Sequence, residues 1–373
     1  MTGVAAMALP FAAVFSVSFL LCAGLVRAAR WVPRLAGRAG DLFAVQRSHH
    51  RLTPRVGGIG VFAALMISIF YVPAALLDAW SSVMIATSVV FFVGLAEDMG
   101  WPVSAKLRLL AAAVSTAIAM ALIGIWVPRF GIPGLDLAMA TGYLGIPLTI
   151  FAIAGISHAF NLIDGVNGLA AMTGLIAAVA LGWIARMSGQ TEMITFAFFI
   201  AFALLGFLAL NYPSGRIFLG DAGAYSIGFV LCWFGLALMW RNPELSPWAV
   251  MLTLFWPIMD TLLAMYRRRR SGKPAMCPDR LHIHQLVMRT FEIAWLGRGR
   301  RHLANPLTTI ALAPAIMLPA LLGVVLWDRP TLALLTFAGL IPIYFAVYFA
   351  AVRLVRNGDI TRTRRHLRAA EVS

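Results

Sequence analysis

The sequence predicts an all-α, polytopic membrane protein of about eleven transmembrane helices, N-terminus periplasmic and C-terminus cytoplasmic. Three observations predict it. Of 373 residues, 61% are hydrophobic and only 12% charged, with a mean hydropathy of +0.85; a water-facing domain carries about 25% charged residues. The apolar residues form long runs divided by short polar stretches, and a run of about 20 residues rises ~30 Å as a helix, the thickness of the hydrocarbon core. The cations, finally, are crowded into alternate connections.

The apolar runs lie near 7–26, 57–77, 81–96, 107–126, 144–162, 168–185, 193–210, 222–240, 247–266, 307–327 and 331–352. No basic segment precedes the first and no small-residue cleavage site follows it, so it reads as a retained span. The connections after the first, third, seventh and ninth runs, with the tail from Arg353, hold 26 of the 30 lysines and arginines. The other four, Arg129, Arg186, Arg241 and Arg329, stand one to a loop on the opposite side. The positive-inside rule assigns the rich side to the cytoplasm. One span wrongly assigned would scramble the alternation, so the split also supports the count. Topology and attraction to anionic headgroups account for the net charge of +15, and the basic tail 353–373 is expected on the leaflet surface. No soluble face interleaves bases with aromatics, which excludes nucleic acid as a partner. Cys22, Cys232 and Cys277 lie far apart without paired spacing, so neither a disulfide framework nor a redox role is expected. The chain reads as one membrane domain, 1–373, with its active site on connections 27–56, 97–106, 161–168, 211–222 and 267–306.

That assignment comes from the acids. Asp78, Asp136, Glu192, Glu244 and Asp328 are isolated in the external loops, whereas Glu97, Asp98, Asp164, Asp221, Asp260 and Asp279 share the cytoplasmic face. A single acid at a span end reads equally well as a helix cap or an arginine's partner; a group of them on one face points to function. Glu97-Asp98 closes the third run, with Ser104, Lys106 and Arg108 across a short loop. Asn161, Asp164 and Asn167 recur every third residue, one face of a helix, and the glycines beside them allow a turn or close ligand approach. In the stretch from Asn211 to Gly223, Asp221 sits among glycines at a helix start, a place suited to a hard cation bridging phosphate oxygens. Asp279-Arg280-Leu281-His282-Ile283-His284 supplies donors for a diphosphate from the most basic loop. A zinc site of Cys277, Asp279, His282 and His284 is the alternative there, although no CxxC or HExxH spacing supports it. His49-His50, ahead of Thr53-Pro54-Arg55-Val56-Gly57-Gly58, is a weaker signal alone, since histidines in an arginine-rich loop are often simply solvated. Acids for Mg²⁺ and bases for phosphate at one membrane face describe phosphoryl transfer. A transporter or lipid flippase is the weaker reading, because transporters place ionisable groups near the midplane and repeat their halves.

At these motifs the sequence resembles the polyprenyl-phosphate N-acetylhexosamine-1-phosphate transferase family. Five motifs stand in family order over nearly the whole chain: His49 with Thr53-Pro54 and Gly57-Gly58; Glu97-Asp98 with Lys106; Asn161 to Gly168; Phe218 to Gly223; and Pro278 to His284. The resemblance implies that a polyprenyl phosphate attacks the β-phosphorus of a UDP-N-acetylhexosamine at the inner membrane of a bacterium, giving polyprenyl-diphospho-sugar and UMP. It implies Mg²⁺, with Mn²⁺ as a substitute, held by Asp221 and Asp98. Glu97 and Asp98 are expected to orient the lipid phosphate or take its proton, and Asp164 with Asn161 to hold the nucleotide. Arg280, His282 and His284 are expected to engage the sugar diphosphate. His49, Lys106, Asn167, Asn211 and Asp279 complete the expected substrate-binding set, and a second copy of the chain is a candidate partner. Because the second pKa of a phosphate monoester is ~6, the nucleophile is already mostly dianionic at neutral pH, so positioning and charge neutralisation outweigh any general base. The chain departs from the family pattern at Glu97 (usually Asp), Asn167 (usually Asp) and Gln285 (usually His). The Pro-Asp-Arg-x-His-x-His run resembles the branch that starts O-antigen, enterobacterial common antigen or teichoic-acid synthesis; the muramyl-pentapeptide phosphate branch of peptidoglycan synthesis is the near alternative.

Overall fold

The computed structural model describes residues 2–35, 53–132, 134–272 and 281–370. Among the described residues the regular structure is entirely helical: α1 (Thr2–Ala28), α2 (Gly57–Ser68), α3 (Ala74–Asp98), α4 (Ala105–Ile123), α5 (Leu135–Ala140), α6 (Gly145–Ile163), α7 (Leu169–Met187), α8 (Ile194–Asn211), α9 (Gly220–Arg241), α10 (Pro247–Thr253), α11 (Phe255–Arg270), α12 (Ile283–Phe291), α13 (Arg301–Val325) and α14 (Pro330–Ala370). Among the described residues nine helices are long and apolar enough to cross a membrane, and the chain is a multi-pass membrane protein.

The remaining two of the eleven apolar runs are not simple spans. The second run is Gly57–Tyr71, whose 15 residues reach only ~22 Å as a helix. It stops at Pro73, which caps α3 in an extended conformation (φ −53°, ψ 140°). Proline lacks the amide that would continue α2 and pre-sets the start of the next helix. Asp78, expected in an external loop, therefore lies within α3. The ninth run is broken into α10 and α11, which meet at 79°. Pro257 is the physical cause: its ring clashes with the carbonyl four residues back, at Thr253, where α10 ends. Helix α14 continues without interruption to Ala370, ~60 Å in all, so the basic segment 353–370 is helical.

Helix α9 is the axis of the bundle. Every side chain from Gly220 to Leu236 is buried, as are Leu238 and Met239. With no polar stripe, a helix of this kind is surrounded by other helices instead of lipid. Close approach is achieved by glycine: a Cβ on Gly58 would lie 2.6 Å from the Gly223 Cα, and one on Gly94 would lie 2.6 Å from the backbone of Ala222. Thus α2 and α3 both pack backbone-to-backbone on the start of α9.

The connections carrying the four scattered arginines gather at the other end of α9. Arg129 donates to the carbonyls of Met239 (3.2 Å), Asn242 (2.8 Å) and Leu245 (2.8 Å). Trp248 donates to Phe130, Asn242 to the Ser188 carbonyl, and the Ser246 amide to Trp327. A guanidinium is well matched to the last, unpaired carbonyls of a helix, and burial holds the Arg129 pKa below its ordinary value. Replacing Arg129 by alanine is expected to cost about 2 kcal/mol, the scale of charge-assisted hydrogen bonds, and to lower the thermal midpoint in detergent. A midpoint equal to wild type would show that this end is held by apolar packing alone.

Candidate active site

The first and fourth motifs meet through their backbones. The Phe218 amide donates to the Pro54 carbonyl (2.7 Å), and the first amides of α2, on Gly57 and Gly58, donate to Phe218 (2.9 Å) and Leu219 (2.8 Å). This pairing suspends Arg55 beside the start of α9. Asp98, at the end of α3, approaches the same point. Its two oxygens accept the amides of Asp221 and Ala222, each at 2.9 Å, and its side chain is fully buried. That is the geometry of a helix cap supplied by a neighbouring helix. Gly220 makes it possible, with a φ of +76° and no side chain to strike Asp98.

Asp221 occupies the first turn of α9 and is only 5% exposed. One oxygen is 3.2 Å from the Arg55 guanidinium, and the other is 2.7 Å from Arg108 and accepts the Tyr225 hydroxyl at 3.4 Å. Arg108 turns inward from the first turn of α4, whereas Lys106 beside it is exposed. Glu97 accepts the Val103 amide (2.9 Å), closing the α3–α4 loop, and lies within electrostatic reach of Arg108.

The turn 161–168 carries Asp164 into this group. The Gly220 amide donates to its carboxylate, and the charges of Arg55 and Asp221 both act on it. Desolvation, reinforced by Asp221, outweighs those lowering influences and lifts the Asp164 carboxyl to about 7. Asn161 is hydrogen-bonded to Tyr225. The third member of the series faces elsewhere. Asn167 is buried: its backbone amide donates to the Asn305 side-chain oxygen (2.7 Å), its backbone carbonyl accepts the Thr309 hydroxyl (2.6 Å), and its side-chain amide donates to the Pro213 carbonyl (2.7 Å). It thus ties the turn to α13 and to the 212–219 loop. Asn211 is likewise buried and holds that loop through the Ile217 carbonyl (2.7 Å). Each of these side-chain amides donates to a loop carbonyl, a bond that an ionised carboxylate in place of Asn167 could not make.

His282 and His284 lie next to this turn. His282 caps α12 and its Nδ1 is 2.6 Å from the Asp260 carboxylate on α11. His284 stacks on His282, with centroids 5.5 Å apart, and lies against Gly165, where any side chain would collide with its Nε2. Burial holds the His284 pKa down to about 4, so its ring is neutral at pH 7. His49, Cys277, Asp279 and Arg280 lie outside the described residues, and with them half of the alternative zinc set. Of the groups now seen in the site, Arg55, Arg108, Tyr225 and Asp260 are not among the binding or catalytic residues expected from sequence, although Arg55 and Arg108 stand within or beside the motifs and Asp260 is one of the acids of that face.

Among the described residues no three or more His, Cys, Asp or Glu side chains form a ready cage for a metal ion. The donor chemistry nonetheless fits Mg²⁺, which is usually held by one or two carboxylates together with substrate phosphates. Asp221 and the nearby Asp164, whose charges oppose each other, are such a pair.

Fold and site together define a polytopic membrane protein that gathers carboxylates, guanidinium groups and imidazoles at one end of its bundle. The family model for glycosyl transferase family 4 matches residues 80–239. Undecaprenyl-phosphate alpha-N-acetylglucosaminyl 1-phosphate transferases from Escherichia coli O157:H7 and Salmonella typhi are 32% and 33% identical over 253 residues, 65% of this chain and 67% of theirs. A probable undecaprenyl-phosphate N-acetylglucosaminyl 1-phosphate transferase of Bacillus subtilis is 27% identical over 260 residues, 69% of this chain and 72% of its own. The chain belongs to the polyprenyl-phosphate N-acetylhexosamine-1-phosphate transferase family.

Proposed function

We propose that the chain transfers N-acetylglucosamine 1-phosphate from UDP-N-acetylglucosamine to undecaprenyl phosphate and releases UMP. The observation that carries this reading is the meeting of Asp221, Asp164, Arg55 and Arg108 at one end of the bundle, in a chain similar to enzymes named for that reaction. An oxygen of the lipid phosphate forms a bond to the β-phosphorus as the bond from that phosphorus to the bridging oxygen breaks, and UMP leaves with that oxygen. No proton need be removed from a dianionic nucleophile. The work of the protein is to hold two anions in line and offset the charge that gathers between them.

In this reading Asp221 and Asp164 hold Mg²⁺, which when bound neutralises charge on the transferring phosphoryl group. Arg55 and Arg108 grip phosphate oxygens, Asn161 and Tyr225 border the nucleotide, and His282 meets the diphosphate. Asp98, its oxygens engaged by α9, positions Asp221 and does not coordinate the ion. The positive-inside rule supports a cytoplasmic site, an external N-terminus and eleven crossings, with Gly57–Tyr71 as a short span and α10–α11 as a broken one.

The test is UMP release by purified protein in detergent, with undecaprenyl phosphate, Mg²⁺ and a panel of UDP-sugars. Release with UDP-N-acetylglucosamine, abolished by EDTA, is the expected outcome. Release only with the UDP-muramyl-pentapeptide would move the chain to the other branch, and none with any donor from folded protein would overturn the reading.

A further inference from the structure

Asp260 belongs to none of the five motifs, yet among the described residues it is one of the most enclosed carboxylates, 1% exposed. It stands on α11 one turn beyond the break that Pro257 makes. One of its oxygens is 2.6 Å from His282 Nδ1. The other accepts the Tyr344 hydroxyl from α14 at 3.2 Å and, at 3.4 Å, the amide of Ile283 at the start of α12. A buried carboxylate persists only where its acceptors are filled, and here all three donors come from elements other than its own. The contacts then run on from His282 to His284 and from His284 to Gly165, the residue after Asp164. A continuous line of contacts therefore joins α14 to the backbone next to Asp164.

An imidazole whose Nδ1 is held by a carboxylate has its ring plane and tautomer fixed, which leaves Nε2 as the nitrogen for an anion or a proton. We propose that Asp260 is a positioning residue for His282, and that Tyr344 in turn holds Asp260, so that α14 forms part of the active site. This rests on the transferase reading above for the substrate that His282 meets. It assigns the break in α10–α11 a purpose, since a straight helix would carry Asp260 away from the start of α12.

The experiment uses the full chain in detergent, carrying Asp260→Asn, Tyr344→Phe, His282→Ala and the double variant Asp260→Asn/His282→Ala. Asparagine keeps the shape but not the charge. Asp260→Asn is expected to lower kcat by ~10²-fold, the low end for a misoriented acid–base group, with KM for the UDP-sugar little changed. Tyr344→Phe should fall about tenfold by weakening the same hold. The double variant should be no slower than His282→Ala, because both changes remove one function. Effects that multiply, or a loss of rate that merely follows a loss of folded protein, would overturn the proposal. Histidine-selective ¹⁵N spectra supply a readout that needs no turnover. The imidazole signals missing from His282→Ala identify that ring among the seven histidines, and Asp260→Asn should move them. Unmoved signals would overturn the positioning role. Wild-type protein that releases no UMP while Asp260→Asn still moves the ring would leave that role standing and sink the reaction alone.

Discussion

Asp221→Ala is expected to lower kcat for UMP release by more than ~10³-fold, the scale on which phosphoryl transfer depends on its charge-neutralising groups. The carboxylate faces two guanidinium groups at 3.2 and 2.7 Å and a tyrosine hydroxyl, in a position only 5% exposed. Substrate or Mg²⁺ entering this point must exchange with those partners, so Asp221 is where the resting charge balance of the site is set. The substitution also removes the short ion pairs of Arg55 and Arg108, while Arg55 keeps Asp98 at 3.9 Å and Arg108 keeps the nearby charge of Glu97. Their side chains are 40% and 23% exposed, and water therefore takes up much of the loss. A fully buried pair would cost about 3–5 kcal/mol when broken; screening at these exposures reduces that to about 1–2 kcal/mol. Asp221→Asn separates the two effects, because an amide oxygen can still accept from Arg108. Its thermal midpoint should stay near wild type while its kcat falls at least ~10²-fold. Activity within tenfold of wild type in the asparagine variant would remove Asp221 from the chemistry and leave it a structural ion pair.

What the sequence disclosed and what it concealed divide along a physical line. Hydropathy is a property of consecutive residues, and each of the eleven apolar runs does form helix. The boundary between the second and third runs was misplaced because apolar residues continue on both sides of Pro73, while the chain breaks at the proline. The 79° bend was similarly hidden, although Pro257 was in plain view; proline inside an apolar run can kink a helix slightly or end it, and packing decides which. The acids clustered at one end were legible through their number and their glycine neighbours. Their partners were not. Asp221 is separated from Arg55 by 166 residues and from Arg108 by 113, and Asp260 from Tyr344 by 84. Those pairings depend on how each helix is rotated about its axis, and helices that are apolar all round, such as α9, carry no stripe to reveal it. For the same reason spacing alone did not disclose that the side-chain amides of Asn167 and Asn211 donate to the carbonyls of Pro213 and Ile217.

Gly220→Ala is expected to remove most of the folded protein, even though it adds one methyl group and touches no charge. The residue has a φ of +76°, which costs a non-glycine residue about 1–2 kcal/mol. Its new Cβ would meet the Arg55 carbonyl oxygen and would lie 2.5 Å from Asp98 Oδ2. Neither neighbour can yield cheaply. Arg55 is held in place by the pairing of Pro54, Gly57 and Gly58 with residues 218–219. Asp98 is fixed by the two amides it caps. Overpacking of such a contact costs a further ~1–3 kcal/mol, and loss of the cap ~1 kcal/mol. Together these are roughly 3–6 kcal/mol, against a typical total stability of about 5–15 kcal/mol. Gly155, within α6, is the matched control: its φ is not in the left-handed region and nothing lies within 4 Å of an added Cβ. Alanine there should be neutral or slightly stabilising, because it favours the helix over the unfolded chain. The two variants would be compared by the yield of monodisperse protein after size exclusion and by thermal midpoint. If Gly220→Ala matched Gly155→Ala in both, the contact between the Arg55 backbone, Asp98 and the start of α9 would not be what holds the site together, and the close docking of α2 and α3 on α9 would have to be maintained by the apolar packing beneath it.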